Sequence, residues 1–180
     1  MKTIYLIRHC KADGQEREAR LTELGESQAI GLAQFLKGKQ IDRIVSSPFD
    51  RAVATILPFA KEAGMEVETD ERLSERVLCT GENPDWLDML QRSFNDPELL
   101  FEGGESGAAA TKRGIEAINE ILAKTEKSAA VVTHGNLMAL ILKYYDENYG
   151  FKEWKALSNP DIYELKFEEE KPKIHRIWEK

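Results

Sequence analysis

Apolar residues follow two alternating patterns along most of the chain: short continuous runs and longer stretches with helical spacing. The run Lys2–Arg8 is β-branched and apolar, which is typical of a strand that is buried on both faces of a sheet. Residues 41–45 and 129–133 also predict strands, the second of them buried. Helical spacing of apolar residues predicts helices over 22–36 and 106–124. The chain is therefore expected to alternate strands with helices.

Local signals place the ends of the first two helices. Thr22 can cap the first helix at its N-terminus, and Gly38 can stop it at the other end. Residues 46–48, Ser-Ser-Pro, supply a cap and the proline that is favoured at a first helical position. The second helix is expected to run towards Gly64. Pro58 should kink it or end it early, because proline lacks the N–H donor.

The segment 72–107 is the least regular part of the chain. Within it, the Asn-Pro pair at 83–84 predicts the start of a short helix that carries Trp86, a candidate for lining a substrate entrance. Near the C-terminus, residues 162–167 and 173–178 alternate in polarity around a charged turn. This pattern predicts a hairpin at the edge of the sheet.

The order of the elements predicts the fold class. Residues 66–69 add a weaker strand, and a further helix is expected after Gly135. Strands that alternate with helices imply right-handed crossovers and a parallel sheet. The expected fold is an α/β three-layer sandwich with a mostly parallel central sheet, helices on both faces and an edge hairpin near the C-terminus. Residues 1–180 are expected to form a single domain.

Charge and composition exclude several classes of protein. The formal net charge is −7, so the surface as a whole should repel nucleic acid and anionic membranes. No apolar run approaches the roughly 18 residues of a membrane helix, and Arg8 and His9 interrupt the first run before a signal-peptide core could form. Cys10 and Cys79 are too few for a disulfide scaffold and lack the spacing of a zinc site. A cytoplasmic protein without a cofactor or metal is expected.

Two histidines directly follow predicted strands, at the end of a parallel sheet where ligands bind. His9 follows Arg8, and His134 precedes Gly135. A neutral imidazole attacks phosphorus well, and a guanidinium group binds phosphate oxygens through bidentate hydrogen bonds. Gly135 permits close approach of the backbone to a ligand. These residues predict a phosphoryl-transfer site in which His9 is transiently phosphorylated.

Arg51 can supply a second guanidinium to the same phosphate. It lies near the start of the helix after the second strand, and the end of that strand is expected to neighbour the end of the first. Structural explanations compete with these roles: a strand-end histidine such as His9 is often only a hydrogen-bonding residue, and His134 can cap the following helix. Surface arginines are also common.

Six short motifs support the phosphoryl-transfer interpretation. They are Leu-Ile-Arg-His at 6–9, Leu-Thr-Glu-Leu-Gly at 21–25, Ser-Ser-Pro-Phe-Asp-Arg-Ala at 46–52, Arg-Leu-Ser-Glu-Arg at 72–76, Gly-Gly-Glu-Ser at 103–106 and Val-Val-Thr-His-Gly at 131–135. In this order and spacing, the chain resembles the histidine phosphatase superfamily, which is also called phosphoglycerate mutase-like. Each motif alone has little specificity, but six in register make a chance match improbable.

The resemblance implies a role for each matching residue. His9 is the phospho-acceptor, and Arg8, Arg51 and His134 complete the phosphate pocket. Glu75 is the carboxylate that protonates the departing alkoxide and later activates water. The further substrate contacts are Gln15, Arg76 and Gly135.

The residues alone leave the identity of the acid open. Glu75 can instead pair with Arg72 or Arg76. Glu82 and Asp85 are possible substitutes for it. A general acid needs a raised pKa, which a partly desolvated pocket can supply, although nearby arginines act in the opposite direction.

Three residues near His9 depart from the family pattern. Cys10 stands where the family commonly has glycine, Ala12 where it has a small hydroxyl residue, and Gln15 where asparagine is frequent. Gln15 can still donate an amide hydrogen bond, whereas the Ala12 side chain cannot. A His-Cys pair also occurs in cysteine-dependent phosphatases, but these need an arginine six positions after the cysteine, where this chain has Glu16. The cysteine mechanism is therefore disfavoured.

The middle segment is short and leaves little chain for a lid that excludes water, which favours hydrolysis over mutation. The expected activity is that of a histidine phosphatase, a phosphoric monoester hydrolase acting on a small phosphorylated substrate or a phosphoprotein. Phosphoglycerate mutation and a phospho-ligand-binding module with little turnover are the alternatives. A monomer or weak homodimer is expected, without nucleic-acid or membrane partners.

Overall fold

The computed structural model describes residues 1–179, so Lys180, the last residue of the predicted domain, lies outside the described residues. The elements follow one another as β1 (Lys2–Arg8), α1 (Glu23–Leu36), β2 (Ile41–Ser46), α2 (Asp50–Ala63), β3 (Glu68–Thr69), a 3₁₀ turn (Glu71–Leu73), α3 (Trp86–Asn95), α4 (Gly107–Lys124), β4 (Ser128–Thr133), α5 (Gly135–Tyr145), α6 (Phe151–Ala156), β5 (Asp161–Phe167) and β6 (Lys173–Arg176). Strands and helices thus alternate through most of the chain.

Six strands form one sheet in the order β3-β2-β4-β1-β5-β6. The first four are parallel, and β5 and β6 add an antiparallel hairpin at the edge. Arg8, at the C-terminal end of β1, is in register with Thr133 of β4 and Asp161 of β5. The prediction of a mostly parallel sheet with an edge hairpin is confirmed.

Helices cover both faces of the sheet. Ile4 and Leu6 of β1 belong to the hydrophobic cluster that α4 and α5 cover, whereas Tyr5 and Ile7 belong to the cluster that α1 and α2 cover. All four side chains are buried. This explains the continuous apolar run, because a strand with two buried faces has no solvent-facing positions. The predicted three-layer α/β sandwich is confirmed.

The first helix begins where the sequence predicts. The side chain of Thr22 accepts a hydrogen bond from Gly25 N at 3.0 Å, which satisfies a free N–H group of the first turn. A Cβ at Gly25 would lie 2.0 Å from the carbonyl oxygen of Lys11. Because glycine allows this approach, α1 packs directly against the loop that follows β1.

The second helix starts later than predicted. It begins at Asp50 after an N-cap at Phe49, so Pro48 precedes the helix and does not occupy its first position. The hydroxyl of Ser47 accepts a hydrogen bond from Phe49 N at 3.3 Å, which forms a turn ahead of the helix. The later start places Arg51 in the first turn, where its side chain is fully buried.

The helix then continues through Pro58 to its end at Ala63, so the alternative in which Pro58 ends the helix early is wrong, and the predicted kink stays a prediction. An interior proline costs roughly 3 kcal/mol. Ile56 and Phe59 on the same helix are buried, and burying such a side chain contributes roughly 1.5–3 kcal/mol. The apolar contacts of the helix therefore offset the cost of the proline.

Three details near the C-terminus and in the middle segment differ from the predictions. The 3₁₀ turn and α6 were not predicted, and β6 ends at Arg176, before residue 178. All residues of α6 are at least partly exposed. Its apolar residues Phe151 and Trp154 pack against the core, but they cover less than two turns, which is too short a stretch to predict a helix. Its first turn is held by a hydrogen bond from Gly150 N to the Glu153 carboxylate at 2.8 Å.

Candidate active site

The C-terminal ends of β1 and β4 bring the two predicted histidines together. The backbone N–H of His9 donates to the Thr133 carbonyl oxygen at 3.1 Å, which extends the parallel ladder by one residue. His134 follows directly, and the centroids of the two imidazole rings lie 5.1 Å apart. Both side chains are buried, with His9 7 % and His134 0 % exposed.

Arg51 reaches His9 from α2 across the end of β4. The prediction that the ends of β1 and β2 are neighbours is wrong, because β4 lies between them. The long side chain spans the gap: Arg51 Nε donates to His9 Nε2 at 3.3 Å, and Nη1 donates to the Glu16 carbonyl oxygen at 2.7 Å. Arg51 therefore places its guanidinium beside His9 as predicted, but it reaches across the end of β4 and does not come from an adjacent strand.

The hydrogen bonds of His9 determine its tautomer. Nδ1 lies 2.7 Å from the carbonyl oxygen of Cys10, which can only accept, so Nδ1 carries the proton. Nε2 is then unprotonated, and its lone pair accepts the hydrogen bond from Arg51 Nε. Burial lowers the pKa of His9 to about 3, and the charges of Arg51 and Arg8 act in the same direction. His9 is therefore neutral near pH 7, with an unprotonated Nε2.

Arg8 supplies a second guanidinium at the same strand end. Its Nη1 donates to the carbonyl oxygens of residues 157–158 at 3.3 and 3.4 Å. Its Nε is buried and has no protein partner in the described part of the chain. Burial lowers the pKa of Arg8 and of Arg51, and the charge of Glu75 opposes this effect in both. A bound anion would offset the cost of desolvating these cations.

Gly135 allows Arg8 to lie against the start of α5. A Cβ at Gly135 would lie 2.9 Å from Arg8 Nε and 3.0 Å from its Cζ, which is closer than a side-chain carbon can approach without displacing the guanidinium. The absence of a side chain at Gly135 therefore allows the Arg8 guanidinium to lie at this position. The predicted approach of a ligand to this backbone stays a prediction.

His134 is held by Ser47, the residue after β2. Its Nε2 lies 2.8 Å from Ser47 Oγ, and the Phe49 ring packs edge-on with a centroid distance of 4.8 Å. Burial lowers the pKa of His134 well below its ordinary value, and the neighbouring His9 and arginines add to the effect. The residue occupies the N-cap of α5, but its side chain makes no capping hydrogen bond. Helix capping therefore does not account for this histidine.

The Glu75 carboxylate lies on the first turn of α5. It accepts hydrogen bonds from the backbone N–H groups of residues 136–137, both at 3.0 Å, and from Arg76 N at 2.8 Å. A negative charge is stabilised at a helix N-terminus by these free N–H groups. Because its charge acts on both Arg8 and Arg51, Glu75 lies within electrostatic reach of both guanidinium groups.

The alternative pairings of Glu75 with a guanidinium do not occur in the described part of the chain. Arg72 pairs with Asp70 and Glu120, both at 2.7 Å. The guanidinium of Arg76 donates elsewhere, as described below. The carboxylate of Glu75 is therefore free of a direct salt bridge within residues 1–179.

Residues 4–180 match the family model of the histidine phosphatase superfamily (branch 1). The chain belongs to this superfamily. The match agrees with the geometry above, because the order of the six motifs brings a neutral histidine, two arginines and a second histidine to one edge of the sheet. The resemblance drawn from those motifs is confirmed.

Named relatives place this histidine phosphatase among phosphatases and phosphoglycerate mutase-like enzymes. A putative phosphoserine phosphatase 2 from Hydrogenobacter thermophilus is 35 % identical over 157 residues, which cover 79 % of this chain and 77 % of that protein. A probable phosphoglycerate mutase from Proteus mirabilis is 27 % identical over 79 % of this chain and 74 % of that protein. The complex of a mycobacterial glucosyl-3-phosphoglycerate phosphatase with inorganic phosphate has the same fold, with a TM-score of 0.79 and 24 % identity over 99 % of this chain and 96 % of that chain.

Two predicted substrate contacts of the histidine phosphatase lie outside the group around His9. Arg76 donates to Ser93 Oγ at 2.8 Å and to the Glu105 carbonyl oxygen at 3.2 Å, so its guanidinium is bound between α3 and the start of α4. Gln15 lines an open cavity of about 990 Å³, here named the outer cavity, which is formed by residues 14–16 and 81–84 and by Trp86. Their contacts with a substrate stay predictions.

The alternative acids belong to the outer cavity and to the start of α3. Glu82 lines the outer cavity, and Asp85 is the N-cap residue of α3. Neither contributes to the charge environment of Arg8 or Arg51 in the way that Glu75 does. The structure therefore favours Glu75 as the carboxylate of this site.

Cys10 is a structural residue of the histidine phosphatase. Its backbone N–H donates to Thr55 Oγ1 at 2.8 Å, and its side chain packs against Leu21 and Ala29. Burial raises the pKa of the thiol to about 12. Since the thiolate is the nucleophilic form, this environment opposes the cysteine mechanism, as the sequence does.

Sequence reasoning missed two residues that position the histidines. Ser47 contacts His134, whereas the Ser-Ser-Pro motif predicts only a helix cap. The motif therefore marks the position of Ser47 but not its contact. Asn159 Nδ2 donates to the His9 carbonyl oxygen at 2.9 Å. A polar residue before a proline predicts only a turn, so the sequence offered no signal for this contact.

Within residues 1–179, no group of three or more histidine, cysteine, aspartate or glutamate side chains is arranged to hold a metal ion. None of the helices in that range is long and apolar enough to cross a bilayer. Cys10 and Cys79 are both free thiols.

Proposed function

We propose that this histidine phosphatase hydrolyses phosphomonoesters through a phosphohistidine on His9. The observation that carries the proposal is the neutral His9 ring, whose Nε2 lone pair lies 3.3 Å from Arg51 Nε. In the first step, the Nε2–P bond forms while the bond between phosphorus and the alcohol oxygen breaks. In the second step, water attacks phosphorus, the N–P bond breaks, and phosphate leaves with His9 restored.

Arg8, Arg51 and His134 are proposed to stabilise the transferring group. Negative charge spreads over the non-bridging oxygens of phosphorus during transfer, and preorganised donors in a desolvated site stabilise this charge strongly. Arg51 and His134 are fully buried, so little water screens their interaction with the phosphoryl oxygens. The two guanidinium groups supply charge, and the neutral His134 supplies one hydrogen bond.

Glu75 is proposed to carry the proton. It gives a proton to the departing alkoxide oxygen in the first step and takes one from the attacking water in the second, so the proton balance closes over the cycle. Its electrostatic effect on both Arg8 and Arg51 supports this role. Neither Glu82 nor Asp85 is among the charges that act on the pKa of Arg8 or of Arg51.

Access of water favours hydrolysis over phosphoglycerate mutation. The outer cavity is open and begins at Glu16, whose carbonyl oxygen binds Arg51. A mutase must keep water away from its phosphorylated intermediate while the substrate turns round. Mutation is the second candidate, because a probable phosphoglycerate mutase is among the relatives.

The mechanism is tested by brief reaction with a radiolabelled phosphomonoester, followed by acid or base. We expect an acid-labile, base-stable label on the protein, and none on His9→Asn, whose amide can keep the hydrogen bond to the Cys10 carbonyl. Retention of the label by His9→Asn would show that another residue is the nucleophile. Incubation with phosphoglycerate isomers should release phosphate; interconversion without release would establish the mutase instead.

We also infer that residues 1–180 form one domain that acts in the cytoplasm as a monomer or weak homodimer on small phosphorylated molecules, with a phosphoprotein as the alternative substrate. A single six-stranded sheet with a hydrophobic cluster on each face supports one domain. The net charge of −7 opposes binding to nucleic acid and anionic membranes. Size-exclusion chromatography with light scattering tests the oligomeric state.

A further inference from the structure

We propose that the outer cavity receives an uncharged, hydroxyl-bearing leaving group of about the size of a monosaccharide and disfavours leaving groups that carry a carboxylate. The inference rests on the proposed hydrolysis at His9 and adds the substrate class.

The outer cavity borders the catalytic group through Glu16. The carbonyl oxygen of Glu16 accepts from Arg51 Nη1 at 2.7 Å, and Arg51 Nε donates to His9 Nε2 at 3.3 Å. The Glu16 carboxylate also acts on the charge of Arg51. Because Glu16 joins the lining of the cavity to Arg51, we place the alcohol half of an ester bound at His9 in the outer cavity.

The lining of the outer cavity is negatively charged. Its polar side chains are Gln15, Glu16, Glu82 and Asn83, and no lysine or arginine is among its described lining residues. The nearby Arg17 forms a salt bridge with Glu71. A substrate carboxylate in this cavity would face two like charges without a cation to bind it, which opposes binding.

The same side chains suit hydroxyl groups. Carboxylates and amide oxygens accept hydrogen bonds from hydroxyls, and the amides of Gln15 and Asn83 can also donate. Trp86 is 48 % exposed and lines the cavity, so it offers an apolar aromatic surface to the C–H groups of a ring. The volume of about 990 Å³ exceeds the need of a three-carbon alcohol. A polyhydroxylated ring uses both the polar and the aromatic lining.

The test compares kcat/KM of the full-length protein for a hexose 6-phosphate, phosphoethanolamine and 3-phosphoglycerate. We expect the hexose phosphate to exceed 3-phosphoglycerate by about fivefold or more, the size that one or two partly exposed charges produce. Glu82→Lys should raise kcat/KM for 3-phosphoglycerate by about fivefold, and should lower that for the hexose phosphate, because it removes a hydrogen-bond acceptor for the hydroxyl groups.

Glu169→Lys is the matched control, because it makes the same charge change beside Met1 and Lys2, at the opposite end of β1. Glu169→Lys should leave kcat/KM for the hexose phosphate and for 3-phosphoglycerate unchanged. A higher kcat/KM for 3-phosphoglycerate than for the hexose phosphate, or no change of these values in Glu82→Lys, would overturn the proposal. A higher kcat/KM for phosphoethanolamine than for the hexose phosphate would show that the preferred leaving group is positively charged and not uncharged. If p-nitrophenyl phosphate is hydrolysed and labels His9, these results leave the proposed mechanism standing; if nothing is hydrolysed, both fail.

A different observation carries a second inference, on the tautomer of His134. We infer that Ser47 donates its hydroxyl proton to His134 Nε2, so that Nδ1–H is left to donate to the transferring phosphoryl group. Ser47 is then a positioning residue. This inference also rests on the proposed function, but the tautomer itself can be measured without activity.

Counting buried groups favours this tautomer. Ser47 Oγ accepts from Phe49 N at 3.3 Å and lies 2.8 Å from His134 Nε2, while His134 Nδ1 is buried without a partner in the described residues. If Ser47 donates to Nε2, one polar group, Nδ1–H, lacks a protein partner. If Nε2 instead donates to Ser47, both the hydroxyl proton and the Nδ1 lone pair lack one. An N–H donor also suits a phosphoryl oxygen, whereas a lone pair repels it.

Nitrogen NMR of the histidine side chains in the intact protein tests the assignment. We expect the His134 signals to show a protonated Nδ1 and an unprotonated Nε2; the reverse pattern would overturn the inference. Ser47→Ala should lower kcat about tenfold or more and shift these signals, and Ser47→Thr should restore both, because it keeps the hydroxyl. A Ser47→Ala variant with unchanged signals and unchanged kcat would overturn the positioning role.

Discussion

The two buried histidines make the stability of the protein depend on pH. The pKa of His9 is about 3 in the folded protein and about 6.5 in an unfolded chain, and that of His134 is lowered in the same direction. Below pH 6.5, the unfolded chain therefore binds protons that the folded protein does not. The free energy of unfolding should fall as the pH decreases, by up to about 1.4 kcal/mol per pH unit for each histidine.

Urea denaturation between pH 7.5 and pH 5 measures this dependence. Over this window the two histidines titrate in the unfolded chain, while most carboxylates stay ionised in both states. His9→Asn should reduce the slope below pH 6.5, since one of the two groups is then absent. An unchanged slope in this variant would contradict the neutral state of His9 in the folded protein.

The contact between Gly135 and Arg8 leads to a prediction about activity. In Gly135→Ala, the added Cβ would lie 2.9 Å from Arg8 Nε, so the guanidinium must move away from the start of α5. We expect kcat/KM to fall about tenfold or more, which corresponds to losing one good charged contact with the phosphoryl group. Steady-state kinetics with p-nitrophenyl phosphate measure the loss.

Gly31→Ala is the matched control for this substitution. Gly31 lies inside α1, and a Cβ there would meet no atom within 4 Å. Alanine should stabilise the helix by about 0.5–1 kcal/mol and leave kcat/KM unchanged. Equal effects of the two substitutions on activity would show that Gly135 has no particular relation to Arg8.

Single residues differ in how far the sequence alone could predict them. His9 and Arg8 were identified because an apolar strand ends at them and their chemistry suits phosphate. Glu75 needed the family resemblance, since its charge could equally have paired with a nearby arginine. Asn159 could not be found, because its contact with the His9 carbonyl joins residues 150 positions apart and leaves no local pattern.

At the level of elements, β5 is anchored by a buried carboxylate at its first residue. Asp161 is fully buried and accepts hydrogen bonds from Ser158 N at 2.9 Å, Ile162 N at 3.0 Å and Arg176 Nε at 3.0 Å. This carboxylate therefore joins β6 to the loop that carries Asn159. Removing it leaves the cation and two backbone donors without their partner.

Asp161→Ala is expected to lower the free energy of unfolding by about 3 kcal/mol, as when one partner of a largely buried ion pair is lost. It should also lower kcat, because Asn159 loses its support beside His9. Urea denaturation and kinetics measure the two effects. Glu168→Ala is the control: Glu168 pairs with Lys173 in the same hairpin at 3.1 Å, but both side chains are exposed, so little change is expected.

The predictability of the elements follows from their burial. β1 and β4 were predicted well, because strands buried on both faces need continuous apolar residues. The start of α2 was wrong, since Ser47 participates in a turn and in a contact with His134, neither of which the local sequence distinguishes from a helix cap. α6 has only six residues, of which Phe151 and Trp154 pack partly buried against the core, so its apolar spacing is too short to predict a helix.

The order of strands in the sheet is a property of the whole molecule that local patterns do not determine. The fold class could be predicted from the alternation of elements, and so could the end of the sheet at which the site lies. The insertion of β4 between β2 and β1 could not, because pairing depends on packing between distant segments. The consequence for the site is that Arg51 spans a strand to reach His9.

This arrangement links anion binding to the stability of the whole fold. Arg51 and Arg8 belong to different elements, and burial lowers the pKa of both, so the folded protein bears the cost of desolvating two cations. A phosphate ion bound between them would offset part of this cost in the folded state alone. At 100 times its dissociation constant, such a ligand stabilises a protein by about 2.7 kcal/mol.

At that concentration, inorganic phosphate should therefore raise the melting temperature by about 5–10 °C, given a shift of about 2–4 °C per kcal/mol for a chain of this size. Potassium chloride at equal ionic strength should have little effect, which separates specific binding from screening. Arg51→Gln should abolish most of the phosphate response, because it removes the cation and keeps a side chain able to donate to Glu16. If Arg51→Gln responds to phosphate as strongly as the parent protein does, the anion binds elsewhere and the proposed pocket is wrong.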